Sequence, residues 1–563
     1  MTAGSFADLS RNGVERFLQT VLVIDNELTL MDPTPPLPAE VLLVEPVTSL
    51  KASTRPAPAQ PLMPPVPEER KAEPVSPLDA KQIMDAFLRR SLICGMHKPT
   101  GRNDLVTEAI RAARRSDAVI IDWMLDGSDP SAAKDIIAGI IQGDADEHGR
   151  LRLIAVYTSE QDVGDITRQI SERLADPGIS VPSEGVLRKA DLRIVVINKE
   201  GTTGGRFNVP VAELPERIIA EFAQLTSGIL GTFAVTAIAA VRRATHHVLA
   251  IFAEDLDGAF LGHMCALKSP EDAREFALDL LAGELRSVAS MNPETAAVLA
   301  PESLGLHIDM LATDGKLALG DIEVPLEHAR RFPGSGYNGI KASKEHQRRR
   351  GTNDAPSKKD AVTEQNVGFL FHPDPASAEA AHHRFARFAS FRTELFGRTT
   401  LPAAWRPTLS LGSLLVRLKD GAVDPTGYLL CTQPRCDAIR LKAARMFPFQ
   451  AATVSEDDSF NLVAAVPTTD GGAATVKLNV GSKPHDTRMI LFVHDEGGRV
   501  RASKSEAGWF EFSDTDRERY LWIGDLRDLT AQRTASTVAA RMHDVGLDEY
   551  EWLRFRAGGK VDD

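Results

Sequence analysis

Cysteine is scarce in this chain: four in 563 residues (Cys94, Cys265, Cys431 and Cys436). That is too few for a disulfide scaffold at this length and fits a reducing compartment. Long apolar runs are also missing. A membrane-spanning helix needs about 20 apolar residues, and the most apolar window, Ile229 to Val241, stops at Arg242-Arg243. It reads as a buried helix, and no membrane association is expected. The opening MTAGSFADLSRNGVERF lacks the basic-then-apolar pattern of an export signal, so a cytoplasmic location is expected. Basic charge is in deficit, with a net charge of −13, which argues against a chain-wide nucleic-acid binder. Aromatics make up only 6%, and no Phe, Trp or Tyr suited to stacking bases lies within the basic stretch 341–360.

What is present is enough apolar content, 43%, for globular folding, in a chain too long for one core. About three or four domains is the expectation from length. Residues 6–17 read as a helix leading into a strand over Thr20 to Ile24. Residues 31–77 are rich in proline without helical periodicity, and read as a disordered or polyproline-like insertion. Strand and helix then alternate to about residue 225. Five strands between helices predict a doubly wound α/β domain, 1–225, with a five-stranded parallel sheet covered on both faces.

Residues 226–300 read as helix throughout, and a mainly helical connector with a bundle is expected over 226–400. Within it lies a basic stretch, 341–360, KASKEHQRRRGTNDAPSKKD. It reads first as a solvated loop, with a phosphate or nucleic-acid contact as the alternative. From about 401 strands dominate, separated by Gly, Asp and Pro clusters, so an α+β module with an antiparallel sheet is expected over 401–563. Trp522, Leu547 and Trp552 are expected in its core, and Thr530 to Arg554 as its final helix.

The chemistry-bearing residues collect at the ends of apolar runs. Val21 to Ile24 ends on Asp25, and Ala118 to Ile121 ends on Asp122. Leu153 to Val156 ends at Tyr157-Thr158, and Ile194 to Ile197 at Asn198-Lys199. In an open parallel sheet the strands' carboxyl ends line the ligand crevice, so two acids, a hydroxyl and a lysine would meet at one edge. Lys189, in VLRK, is a rival for the lysine on a poorer strand, and Thr158 also reads as a helix N-cap.

These four fragments, VLVIDNEL, IIDWML, IAVYTSE and IVVINK, taken in this order, resemble the phospho-acceptor site of a response-regulator receiver domain over roughly residues 15–225. The resemblance implies phosphoryl transfer to Asp122, Mg2+ held by Asp25, Asn26 and Asp122, a hydrogen bond from Thr158 to the phosphoryl group, and a charge partner in Lys199. It implies a histidine kinase or kinase-like ATPase as partner, and a two-component signalling role rather than an enzyme. A homo-oligomer is compatible with it. The chain departs from the family pattern at Asn26, where the second acid is usual, at Glu200, which replaces a proline, and at Val196, which occupies the aromatic switch position. Asn26 should weaken Mg2+ binding, and it supports the alternative of a phosphorylation-independent pseudo-receiver.

Downstream, YLLCTQPRCDAIRL carries Cys431, Arg435, Cys436 and Asp437. Its first reading is core packing with an ion-pair cluster or ligand pocket. The alternatives are a zinc site completed by His263 and Cys265, or a cysteine nucleophile with His494 as base. An enzyme centred here is therefore the third reading. A role in bacterial stress or phage defence is compatible with such a multidomain chain, although no residue points to it.

Overall fold

The computed structural model describes residues 4–29, 78–99 and 102–543, with short gaps at 128, 148, 203–204, 206, 268–270, 353, 373, 398–400, 403, 458, 469–470 and 507. The proline-rich stretch 31–77, and Leu547 and Trp552 near the end, lie outside the described residues. The chain forms two compact units, Met1–Gly262 with Arg274–Met310, and His263–Ala273 with Leu311–Asp563.

The first unit is built on a parallel sheet. Its strands are β1 (Thr20–Ile24), β2 (Ile93–His97), β3 (Ala118–Ile121), β4 (Arg152–Thr158), a hairpin of β5 (Ser180–Ser183) and β6 (Val186–Arg188), then β7 (Leu192–Lys199) and β8 (Asn208–Val209). The order is β2-β1-β3-β4-β7-β6-β5, with β8 also on β7. The sheet therefore has eight strands where the sequence predicts five. The five expected strands form the parallel core. The addition is the antiparallel β5–β6 hairpin, together with the two residues of β8, which run parallel to β7. The hairpin escapes a sequence reading because β5 is exposed throughout and shows no apolar alternation.

The core strands are apolar runs because both faces are covered. On one face Val21, Val23, Ile120, Ala155, Val195 and Ile197 pack with Phe87 of α2 (Ala80–Leu88) and with Ile218 and Phe222. On the other, Ile24, Ile121, Val156 and Ile194 pack with Ile136, Ile140, Ile166 and Ile170. The helices are α1 (Phe6–Phe17) ahead of the sheet, α3 (Arg102–Ala113), α4 (Ser131–Asp146), α5 (Val163–Leu174) and α6 (Leu214–Leu225).

A further helix, α7 (Ile229–Ile251), lies against α1. Arg242 on α7 donates to the Phe17 carbonyl at 2.8 Å and reaches Asp117 at the start of β3 at 3.2 Å. Asp117 also accepts from the backbone of Gln19 and Thr20. The helix that opens the expected connector is thus bonded into the receiver-like unit.

The second unit opens with helices and a three-stranded sheet of Lys316–Leu319, Ile322–Pro325 and Arg348–Arg349. It ends in a ten-stranded sheet whose paired strands are antiparallel, as expected for the C-terminal part. Alternate residues separate two cores: Leu414, Val416 and Leu430 face one side, and Leu415, Cys431, Phe449 and Trp522 the other. Trp522 is fully buried, as predicted. The arginines of the basic stretch have partners: Arg349 pairs with Asp321 and Asp360, and Arg350 with Glu323. Paired guanidiniums have less to offer phosphates, but the stretch is not the expected solvated loop throughout: its first residues end the helix Phe332–Ser343, Arg348–Arg349 is a strand, and Ser343 and Gln347 are buried.

Candidate functional site

Strand order reverses between β1 and β3, and the strand ends at this reversal carry the two acids. Ile24 and Ile121 are in register, and Asp25 and Asp122 follow them. The Asp122 amide donates to the Ile24 carbonyl at 2.9 Å, and the Asp25 amide to that of His97 at 3.2 Å. Regular pairing thus continues to the last residue before the crevice, which fixes both Cα positions.

Lys199, the last residue of β7, places Nζ 2.9 Å from Asp25 Oδ2 and 2.9 Å from Asp122 Oδ1. All three side chains are buried. The remaining carboxylate oxygens accept backbone donors: Asp25 Oδ1 from the Glu27 amide at 2.6 Å, Asp122 Oδ2 from the Met124 amide at 2.9 Å. Burial pushes the Asp122 carboxyl up, and Lys199 opposes that. Burial also pulls on the Lys199 ammonium, but Asp122 and Asp25 outweigh it and hold the ammonium above the ordinary lysine range. Glu27 is raised too, first by burial, with Lys199 opposing and Asp25 and Asp122 reinforcing.

Thr158 ends β4, fully buried and in register with Asn198. Its hydroxyl accepts from the Glu160 amide at 3.1 Å. It is not the N-cap of α5; Asp162 is, accepting from the Asp165 amide. Lys189 stands apart from the site, paired with Asp176 at 2.7 Å. The structure therefore brings together Asp25, Asp122, Thr158 and Lys199 at one edge and leaves the rival lysine out.

Asn26 tests whether a divalent cation suits this edge. Its Nδ2 donates to the Met124 carbonyl at 3.1 Å, while its buried Oδ1 has no hydrogen-bond partner. An orphaned amide oxygen beside carboxylates is the donor type a hard cation takes. The residues fit Mg2+ through oxygen ligands, although among the described residues no group of three or more His, Cys, Asp or Glu side chains forms a ready metal centre.

The sequence reading placed Asn198 at the strand end but gave it no role. Its side chain donates to the Glu160 carbonyl at 2.7 Å and accepts from the Phe207 amide at 3.3 Å. The available signal was an amide in an otherwise apolar strand, directly before the lysine.

The C-terminal candidates separate. Cys431 is fully buried, and burial pushes its thiol up to about 12. Cys436 and Cys265 are exposed. Arg435 pairs with Asp528 and Arg440 with Asp272, in place of the expected cluster with Asp437. His494 Nδ1 lies 2.6 Å from the Asp495 carbonyl oxygen.

A doubly wound parallel sheet with a lysine bridging two strand-end carboxylates, beside a strand-end threonine, is the arrangement of a receiver type of signalling domain. The comparison with known families agrees: residues 17–204 match the response receiver domain. This chain therefore carries a response receiver domain within a larger protein, and it has a signalling-type role. No curated protein and no solved structure gives a significant match. Among the described residues no helix is long and apolar enough to cross a membrane.

Proposed function

We propose that the receiver domain accepts a phosphoryl group on Asp122 and that this regulates the C-terminal part of the chain. The observation that carries the reading is the Lys199 ammonium, 2.9 Å from both Asp25 and Asp122 inside a buried crevice. Such an ammonium keeps Asp122 available as an anion and is placed to meet a phosphoryl oxygen. An Asp122 carboxylate oxygen would form the new bond to phosphorus as the bond to the donor's leaving atom breaks, the electron pair leaving with that atom. Lys199 would then pair with the phosphoryl oxygens, and the Thr158 hydroxyl would donate to one of them. Asp25, Asn26 and Asp122 would hold Mg2+, which when bound offsets charge on the transferring group. The phosphodonor would be a histidine kinase or a kinase-like ATPase. In this reading the working parts are a receiver over 1–225, a helical connector over 226–400 and an output module over 401–563, acting in the cytoplasm.

A beryllium-fluoride phosphoryl mimic with Mg2+ tests this. The wild-type protein is expected to gain thermal stability and Asp122→Ala to gain none; no gain in the wild type would reject the reading.

Asn26 favours a second reading, a pseudo-receiver that signals without phosphorylation. It is a neutral amide where a second acid would strengthen cation binding, and its Nδ2 donates to the Met124 carbonyl. A Cys431 nucleophile finds no support, since a buried thiol raised to about 12 is neither ionised nor accessible at neutral pH.

A further inference from the structure

We propose that Asn198 and Tyr157 are positioning residues that carry the state of Asp122 to strand β8, in place of an aromatic switch. The inference rests on the phosphoryl-acceptor reading above. Val196 is small and only 2% exposed, so no ring at that position can move between buried and exposed states. The structure supplies another connection. Glu160 is tied to the Thr158 hydroxyl through its amide, and its carbonyl accepts from Asn198 Nδ2. Asn198 in turn grips Phe207 twice: Oδ1 accepts from its amide, and the Asn198 amide donates to its carbonyl at 3.1 Å. One residue before Thr158, the buried Tyr157 hydroxyl donates to the Val209 carbonyl at 2.8 Å. Asn198 at the end of β7 therefore holds the Phe207 end of the stretch Phe207 to Val209, and Tyr157 at the end of β4 holds the Val209 end.

That stretch is closely packed. A Cβ on Gly205 would fall 2.2 Å from Asn208 Oδ1 and 3.2 Å from Asn198 Cγ. Thr202 closes the turn after the lysine by donating to the Lys199 carbonyl at 2.7 Å. If Thr158 moves inward to meet a phosphoryl oxygen, Glu160 moves with it, and Asn198 transmits the shift to Phe207 because a fully buried amide cannot exchange its partners for water. Asn208 and Val209 also line an open cleft with Asp8, Arg11 and Glu15 of α1 and Glu216 of α6. The signal would thus reach the face where α1 covers the domain.

The test is hydrogen exchange on the full chain, with and without beryllium fluoride and Mg2+, read in peptides covering residues 205–212. Wild type is expected to change exchange there. Asn198→Ala and Tyr157→Phe are expected to keep the thermal stabilisation by the mimic but to lose most of that exchange response. Tyr157→Phe keeps the ring and its packing, and so decides the matter if Asn198→Ala does not fold. Variants that retain the wild-type response would overturn the inference. So would a wild type that is stabilised by the mimic but unchanged at 205–212. A wild type not stabilised at all would remove the phosphoryl-acceptor reading itself, and the inference with it.

Discussion

Lys199 and Asp25 are 174 positions apart in the chain and 2.9 Å apart in the fold. The same ammonium serves Asp122, so one cation is shared by two buried carboxylates. Lys199→Met would leave both without a counter-charge. Breaking a buried ion pair by removing one partner costs about 3–5 kcal/mol. We predict a loss of that size in denaturant unfolding of the receiver unit, partly recovered by adding Asp122→Asn. A Lys199→Met protein as stable as wild type would mean that the carboxylates are not ionised together.

A second buried pair is purely architectural. Arg152, 1% exposed, holds Asp144 through two contacts of 2.6 Å and donates to the Ala113 and Ser116 carbonyls. Arg152→Met should cost about 3–5 kcal/mol for the same reason, while leaving beryllium-fluoride stabilisation intact in any molecules that fold. Loss of that response in a folded variant would link Arg152 to the site.

Helix α7 depends on a glycine in α1. A Cβ at Gly13 would stand 2.5 Å from Thr236 Oγ1. Overpacking of this kind costs about 1–3 kcal/mol. Gly13→Val is predicted to loosen α7 and speed protease cleavage between 229 and 251; an unchanged cleavage rate would show that α7 does not need this close approach.

The four cysteines should divide by burial. Cys265 and Cys436 are exposed, whereas burial pushes the thiols of Cys94 and Cys431 up to about 12. Because the thiolate is the reactive form, alkylation at neutral pH should modify the first two quickly, the half-buried Cys94 more slowly, and the fully buried Cys431 only after unfolding. Rapid labelling of Cys431 in the native protein would reopen the enzyme reading.

In the C-terminal unit, Arg417 and the hydroxyl and amide of Thr426 hold Asp424 down to about 2 from 3.8. A depressed folded value means stability that is present above the unfolded value and lost as pH falls toward the folded one. Wild type should therefore lose stability between about pH 4 and 2. Asp424→Asn should flatten that part of the profile, and parallel profiles would contradict the assignment.

Much of the site was legible because fully covered strands read as apolar runs, and each run ends on the residue it delivers to the crevice. Asp25, Asp122, Thr158 and Lys199 follow from that pattern alone. Burial of a charged residue does not show in a sequence, so the buried role of Arg152 at the start of β4 could not be read there. Periodicity revealed α7 as a helix but not its partner, because Arg242 binds Asp117 across 125 positions. Strand β5, its pairing with the weak strand β6, and the strands Arg445–Val454, Phe510–Ser513 and Arg519–Leu526 were not anticipated. Asn198 was seen at its strand end without a role, because that role lies in bonds to two loops that only the folded sheet brings together.

The most direct test of the central claim is the intact mass of the purified chain after incubation with Mg2+ and a small-molecule phosphodonor, beside Asp122→Asn. The account predicts a wild-type species heavier by one phosphoryl group, lost on mild alkaline treatment as an acyl phosphate should be, and absent from the variant. An unmodified wild type, or equal labelling of both proteins, would contradict phosphoryl acceptance at Asp122.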